Sequence, residues 1–531
     1  MLLFFLSLGS YLFYIILKYR KSIYMLQQNS YNTSNRYIKW VFKNYDKTLI
    51  TEDFLFLIIY FLYYVIEFNF FAILIFVFYL GLFYLELKKV KLEQNKKPFV
   101  ITSRVKRLIF TLVILFLLYT VYIVLNFDNN MVNYYYIGYV LIGYFSYLIM
   151  YIINIINIPV ERCVYYYYKH KALGKLNNMD NLIKIGITGS YGKTTSKNIL
   201  NDILNIKYNS FATPKSFNTP YGLMNAINNY LDKFDDVFIA EMGACKKGDI
   251  TELCKFIKPK YGIITKIGMA HLETFKTIEN TTLEKFRLIE MLPSDGVGIL
   301  NKDDEYQRNY KINNDCKIIW VGIDCECDLR AVNIKTSNMG MEFDIVFDGV
   351  NKEHFKTNLL GRANIYNILS AVALARYLGI NISSIKRAVC LLKPTEHRLE
   401  LKKYNDKVTI IDDAFNSNPE GSKMALEVLD LMDGYKVIVT PGMIELGERQ
   451  NDLNKEFGRY ISDVADMVIL VGEKQTKPIL EGLIDKHYDR DKIFVINDVK
   501  DAFKLVCNID NKNVYVLLEN DLPDIFNEGG K

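Results

Sequence analysis

The sequence has eight cysteines but no CxxC pair. Cys325 and Cys327 stand two apart, too close for a usual zinc-binding pair, and Cys163, Cys245, Cys254, Cys316, Cys390 and Cys507 have no metal-ligand spacing. This usage speaks against a zinc module and a disulfide scaffold and fits reduced, cytosolic thiols. A strong charge of one sign is also missing. Lys and Arg number 65 against 59 Asp and Glu, leaving +6 over 531 residues, so nucleic acid is not an expected partner. A cleavable signal peptide is not expected either: residues 1–17 are almost wholly apolar, but no basic segment precedes them and no small-residue cleavage site follows.

What is present in excess is apolar and aromatic sequence, concentrated before Tyr168. A bilayer crossing needs about 20 apolar residues. Residues 1–17, 108–125 and 134–158 each read as one span. Residues 54–85 are too long for one untilted crossing and read as two short spans with a turn at Glu67, Phe68 and Asn69. Basic residues cluster at Lys18, Arg20, Lys21, Arg36, Lys39, Lys43 and Lys47, again from Lys88 to Arg107, and again at Arg162, Lys169, Lys171 and Lys175. The loops at Glu67 and Asp128 carry none. The positive-inside rule is met by five spans with the N-terminus outside and the rest of the chain inside. The expected organisation is a multi-pass transmembrane domain at 1–160 in contact with membrane lipids, an interfacial linker at 161–177, and cytoplasmic domains after it.

Beyond residue 177, short β-branched runs alternate with helical patterns, as in an α/β domain with a parallel sheet. Residues 182–188 (LIKIGIT) read as a buried strand, followed by Gly189-Ser190-Tyr191-Gly192-Lys193-Thr194-Thr195 and a helical stretch from Ser196. Strand, glycine-rich turn and helix is the setting of a nucleotide loop: backbone N–H groups and the helix N-terminus face phosphate oxygens. Lys193 would supply charge to the β- and γ-phosphates and the Thr194 hydroxyl would ligate Mg²⁺. Ile187 stands where the strict P-loop pattern has glycine.

Further motifs follow in order: KSFNTPYGL at 215–223, a strand DVFIAE ending on Glu241 and followed by MGA, AHLE around His271, LEKFR around Lys285, GRANIYN with Asn364 and Asn367, EHRLE around Arg398, and DDAFNSNP with Asp413 and Asn416. This collinear set, from about residue 182 to about 472, resembles the Mur ligases, and among them the branch that adds D-alanyl-D-alanine. The resemblance implies a central ATP-binding domain at 178–400 and a Rossmann-like C-terminal domain at 401–531. It implies ATP held by Gly189, Ser190, Gly192, Lys193, Thr194, Thr195, Asn364, Asn367, Arg398, Asp413 and Asn416. It implies Mg²⁺ held by Thr194, Glu241, His271 and a carbamylated Lys285, with Lys193, His271, Lys285 and Arg398 as catalytic residues. Asn218 and Thr219 would contact the uridine-nucleotide substrate. The implied reaction is ATP-dependent amide-bond formation through an acyl phosphate, joining an amino acid or dipeptide to a cell-wall peptide precursor, with other wall-synthesis enzymes as partners.

The chain departs from the family pattern in places. His397 stands where glycine is usual, Phe415 replaces a tyrosine, Gly442 replaces an aspartate, and the C-terminal KGS-type turn has become Glu519-Asn520-Asp521. These changes keep two other readings open: the same chemistry on a different or lipid-linked acceptor, and a nucleotide-binding membrane scaffold.

Overall fold

A computed structural model describes residues 2–29, 31, 36–49, 51–56, 68–92, 99–128, 131–268, 272–415, 417–444, 446–511 and 513–521. The chain divides into two compact units, Met1–Tyr167 and Tyr168–Lys531.

The first unit is helical. Its helices include Leu2–Gln28, Phe68–Leu92, Ser103–Leu125, Val132–Tyr144 and Ser146–Ile156, and the helix Ile158–Asn177 carries the division between the units. Among the described residues, two helices are long and apolar enough to cross a bilayer, Phe70–Lys91 and Ser103–Leu125. A third crossing exists only if Tyr134–Tyr144 and Ser146–Ile156, bent by 77°, count as one. The expected five spans are therefore not confirmed, and residues 57–67 of the expected second span lie outside the described residues. The first helix runs beyond residue 17 to Gln28, because Lys18, Arg20 and Lys21 are good helix formers and no proline intervenes. The stretch 134–158 is not one straight helix, and tyrosines of the first helix take up carbonyls just before the bend. The Tyr19 hydroxyl donates to the Ile142 carbonyl at 2.8 Å, and the Tyr11 hydroxyl donates to the Tyr139 carbonyl. Side chains inserted into the helical ladder produce this kind of kink.

The core of this unit mixes apolar side chains, among them Leu26, Phe71, Ile75, Leu108 and Met150, with hydroxyls and amides. The buried side chains include Tyr11, Tyr14, Tyr19, Tyr79, Tyr139, Ser22, Ser146, Asn154 and Asn157. Their polar atoms meet one another, as in Ser22 Oγ to Ser146 Oγ at 3.2 Å and Asn157 Nδ2 to Thr111 Oγ1 at 3.0 Å. The outward faces instead carry Phe13, Ile16, Phe70, Val77, Phe110, Leu117 and Leu118.

The second unit holds two sheets. The first contains β1 (Ile183–Thr188), β2 (Ser210–Ala212), β3 (Val237–Glu241), β4 (Tyr261–Ile264), β5 (Val297–Asn301), β6 (Lys317–Gly322), β7 (Leu329–Ser337), β8 (Gly340–Phe347) and β9 (Asn351–Thr357), in the order β2-β3-β1-β4-β5-β6-β7-β8-β9. The strands from β2 to β7 pair in parallel, and β7-β8-β9 form an antiparallel meander. The second sheet contains β10 (Glu400–Lys403), β11 (Val408–Asp413), β12 (Tyr435–Thr440), β13 (Met467–Val471), β14 (Ile493–Ile496) and β15 (Val514–Glu519), in the order β10-β11-β15-β12-β13-β14. Only β10 is antiparallel to its neighbour. Parallel strands covered on both faces become apolar throughout, and β3 and β5 are buried at every position.

This order positions the site. β1 lies between β3 and β4, so the chain leaves the sheet in opposite directions on either side of it, the place where open α/β sheets form ligand crevices. The turn after β1 and Glu241 at the end of β3 are thereby neighbours, with Ile187 in register with Glu241.

Candidate active site

The turn after β1 is shaped by two glycines with positive φ. Gly189 has φ +152°, and a Cβ there would run into the Thr265 hydroxyl; Gly192 has φ +77° and precedes the helix Lys193–Leu204. Neither position suits a side chain, and the close approach leaves the helix N-terminus open. Lys193 Nζ donates to the Gly189 carbonyl at 2.8 Å and to the Ser190 carbonyl at 3.1 Å. Burial lowers its pKa; Glu241 opposes the shift and Arg398 adds to it.

Glu241 is the centre of the cluster. Its Oε2 accepts from Thr194 Oγ1 at 3.0 Å and from Lys197 Nζ at 3.2 Å, and its Oε1 accepts from Asn218 Nδ2 at 3.1 Å. The Glu241 backbone N–H donates to Thr213 Oγ1 at 3.2 Å. Thr219 caps the helix Pro220–Asn229, accepting from the Gly222 N–H at 3.3 Å, with Pro220 at its first turn.

Lys285 sits on the helix Ile278–Glu290 and is 2% exposed. Burial, helped by the charge of Lys193, pushes its amine down to about 7. Lys285, Lys193, Ser190, Asn218, Thr219 and Cys245 share a cavity of about 270 Å³. His271 lies outside the described residues, so its place beside this cavity stays an expectation.

A second cleft, of about 340 Å³, is lined by Gly192, Thr195, Asn364, Asn367, Arg398 and Asp413. Asn364 and Asn367 lie on one face of the helix Arg362–Tyr377, with Asn367 Nδ2 3.3 Å from Asn364 Oδ1. A Cβ on Gly192 would meet Asn367 Oδ1 at 3.2 Å, so this asparagine abuts the phosphate turn. Burial lowers the pKa of Arg398, with Asp413 and Glu241 opposing. Asp413, at the end of β11, is raised by burial to about 6, against the pull of Arg398 and of the Leu399 N–H at 3.2 Å. The structure thus brings together Lys193, Thr194, Glu241, Asn218 and Lys285 at one cavity, and Thr195, Asn364, Asn367, Arg398 and Asp413 at the adjoining cleft. Asn416 lies outside the described residues.

Two departures from the family motifs acquire physical reasons. His397 has φ +58°, a backbone conformation that favours glycine, and its ring compensates through Nδ1 at 2.8 Å from Asp412 Oδ2. Glu519, where a basic turn was expected, is fully buried at the end of β15. It accepts from Ser417 Oγ, from Ser422 Oγ at 2.7 Å and from Thr440 Oγ1 at 3.1 Å, and burial raises it to about 7.

Lys197 was missed by motif reading. The signal was available: it lies four residues after Lys193 on one helix, hence on the same face.

The fold has known counterparts. Residues 187–375 match the Mur ligase middle domain and residues 397–518 match the Mur ligase, glutamate ligase domain. The UDP-N-acetylmuramoyl-tripeptide--D-alanyl-D-alanine ligase of Bacillus subtilis is 30% identical over 338 residues, covering 63% of this chain and 72% of that protein. The Escherichia coli protein of the same name is 27% identical over 319 residues, covering 60% and 70%. Among solved structures, MurF ligase from Thermotoga maritima in complex with ADP superposes with a TM-score of 0.59 at 26% identity, covering 67% of this chain and 80% of that one. Matched by both domain models and 30% identical to a relative of which it covers 72%, the chain belongs to the Mur ligase family.

Proposed function

We propose that this chain is a membrane-tethered, ATP-dependent ligase that joins D-alanyl-D-alanine to the peptide carboxylate of a UDP-N-acetylmuramoyl tripeptide. The observation that carries the reading is Thr194 Oγ1 at 3.0 Å from Glu241 Oε2, beside the turn that presents Lys193. The substrate assignment is taken from the curated relatives that bear this activity in their names.

The site's chemistry fits the groups it must hold. A hydroxyl and a carboxylate oxygen side by side are hard donors suited to Mg²⁺, and Lys285, a buried amine lowered to about 7, is suited to take up CO₂ and become a carboxylate ligand. ATP, when bound, would supply the phosphoryl group that activates the peptide carboxylate as an acyl phosphate, releasing ADP; attack of the amine on that carbonyl would form the amide and release phosphate and a proton. The chain's own residues must bring two anions together. Lys193 exchanges the neutral carbonyls of Gly189 and Ser190 for phosphate oxygens, which hold an ammonium more strongly. Arg398 approaches from the adjoining cleft and offsets the same charge. Asn364 and Asn367 orient the nucleotide, Asp413 steadies Arg398, and Asn218 and Thr219 orient the precursor at the smaller cavity.

The outer surface of the first unit supports a membrane location: its long apolar helices expose Phe13, Ile16, Phe70, Val77, Phe110, Leu117 and Leu118, more apolar surface than water favours. The basic segments, read by the positive-inside rule, support a cytoplasmic catalytic unit.

Glu519 favours one alternative, a different or lipid-linked acceptor, because a buried carboxyl stands where relatives carry a basic turn. Purified full-length chain in detergent is to be assayed for ADP release with Mg²⁺, ATP, D-alanyl-D-alanine and either the soluble or the lipid-linked tripeptide. Release with the soluble precursor supports the proposal, release only with the lipid-linked one replaces the substrate, and ATP binding without any release favours a scaffold.

A further inference from the structure

Glu241 is held from three sides. Thr194 comes from the phosphate turn, Asn218 from the segment after β2, and Lys197 from the next turn of the phosphate helix. Lys197 differs from the others in carrying charge. Its Nζ is 3.2 Å from Glu241 Oε2, and both side chains are 1% exposed. Among the described residues it is the one cation in ion-pair contact with Glu241. The same ammonium donates to the carbonyl of Lys215, a residue with φ +49° that opens the segment bearing Asn218 and Thr219.

We propose that Lys197 is a positioning residue: a cation paired with the Glu241 carboxylate that competes with a metal for it and ties the precursor-binding segment to that carboxylate. The inference rests on the reading of Glu241 as a metal ligand. Its logic is competition for oxygen. Oε2 already accepts two donors, so a divalent ion binding there displaces the Thr194 hydrogen bond and weakens the Lys197 contact. A buried carboxylate without a cation would be costly, so Lys197 holds Glu241 in its working geometry. On metal binding the ammonium keeps its bond to the Lys215 carbonyl, and the 215–219 segment feels the change. Coupling of this kind is reciprocal: precursor binding alters metal affinity by the same factor.

The test uses Mn²⁺ as a paramagnetic probe of the purified, nucleotide-free full-length chain. Removing the competing charge in Lys197→Met is expected to tighten Mn²⁺ binding by about tenfold and to raise KM for the precursor more than it lowers kcat. Lys197→Arg is expected to remain near wild type in both. Lys197→Gln, which keeps a donor for the Lys215 carbonyl without the charge, carries the metal test if the methionine variant does not fold. Unchanged Mn²⁺ affinity in a folded, uncharged variant overturns the proposal, as does an arginine variant that behaves like the methionine one. Glu241→Gln separates the layers. Undiminished Mn²⁺ binding in that variant removes the metal-ligand reading and this proposal with it, while absent ligase turnover leaves the Mn²⁺ comparison intact.

Discussion

The guanidinium of Arg398 lies over the ring of Phe415, 4.4 Å from its centroid. The family motif has tyrosine at this position, and loss of the hydroxyl leaves the π-face that Arg398 uses. Cation–π contacts contribute about 0.5–2 kcal/mol depending on desolvation. Phe415→Ala is therefore expected to raise KM for Mg·ATP by roughly 2- to 30-fold, and Phe415→Tyr to keep it near wild type. Steady-state kinetics on the two variants checks this, and equal values for alanine and wild type would show that Arg398 needs no ring beneath it.

Lys193→Ala removes the ammonium that faces both the phosphate turn and Glu241. Turnover should fall to background in the ADP-release assay while the melting profile stays within a few degrees. Thr194→Val should raise the Mg²⁺ concentration for half-maximal rate, since a methyl replaces the hydroxyl beside Glu241. Wild-type turnover in the Lys193 variant would end the proposed phosphoryl-transfer role.

Lys285 carries a pH dependence of definite sign. Its folded-state pKa, about 7, lies below the ordinary lysine value of 10.5. The folded state thus disfavours the proton, and this group's contribution to stability declines as pH falls from 10.5 toward 7 and is constant below. Above about pH 7 the neutral amine is available to take up CO₂. Added bicarbonate should raise activity at pH 8 and have little effect at pH 6. A carbamate ¹³C resonance is expected at pH 8 after labelling with bicarbonate and should vanish in Lys285→Arg; its absence in wild type would leave Lys285 as a plain amine.

Glu519 has the opposite linkage. Its folded-state pKa, about 7, lies above the model value of 4.5. Its stabilising contribution is fully present below 4.5 and is lost as pH rises through 7. Glu519→Gln keeps an acceptor for the three hydroxyls and removes the titration. The variant should melt higher than wild type at pH 8 and close to it at pH 4.5, each ~1 kcal/mol moving Tm by roughly 2–4 °C. Differential scanning fluorimetry at the two pH values measures the difference, and a variant that is destabilised at pH 8 would show that the ionised carboxylate is the form the three hydroxyls need.

Leu117, on the helix Ser103–Leu125, is an exposed apolar residue. A charge near the middle of a bilayer costs about 2.5–3.5 kcal/mol on insertion scales. Leu117→Arg should lower the yield in the membrane fraction, whereas Leu118→Val should not. Extraction of the wild type by alkaline carbonate, without detergent, would refute the membrane tether.

Much of the site was legible because its parts are local. A strand, a glycine-rich turn and a helix in consecutive residues announce a phosphate site, and the strand ending on Glu241 announces its carboxylate. Phe415 was legible as a departure from the motif but not as a platform for Arg398, which lies seventeen positions away in sequence. Lys197 escaped because a lysine on a helix usually faces water, and only the packing of that helix against β3 buries it beside Glu241. The helical region was read correctly as apolar, but the break after Tyr144 depends on Tyr19, far earlier in the chain.

The sequence by itself determined the local chemistry of this protein: where apolar blocks lie, which turn can approach phosphate, and which strand ends on an acid, since each depends on neighbours along the chain. Only the tertiary structure decided which charges share a carboxylate, which ring lies under Arg398 and where a long helix bends. Those outcomes depend on distances through space between segments whose order in the chain says little about their proximity.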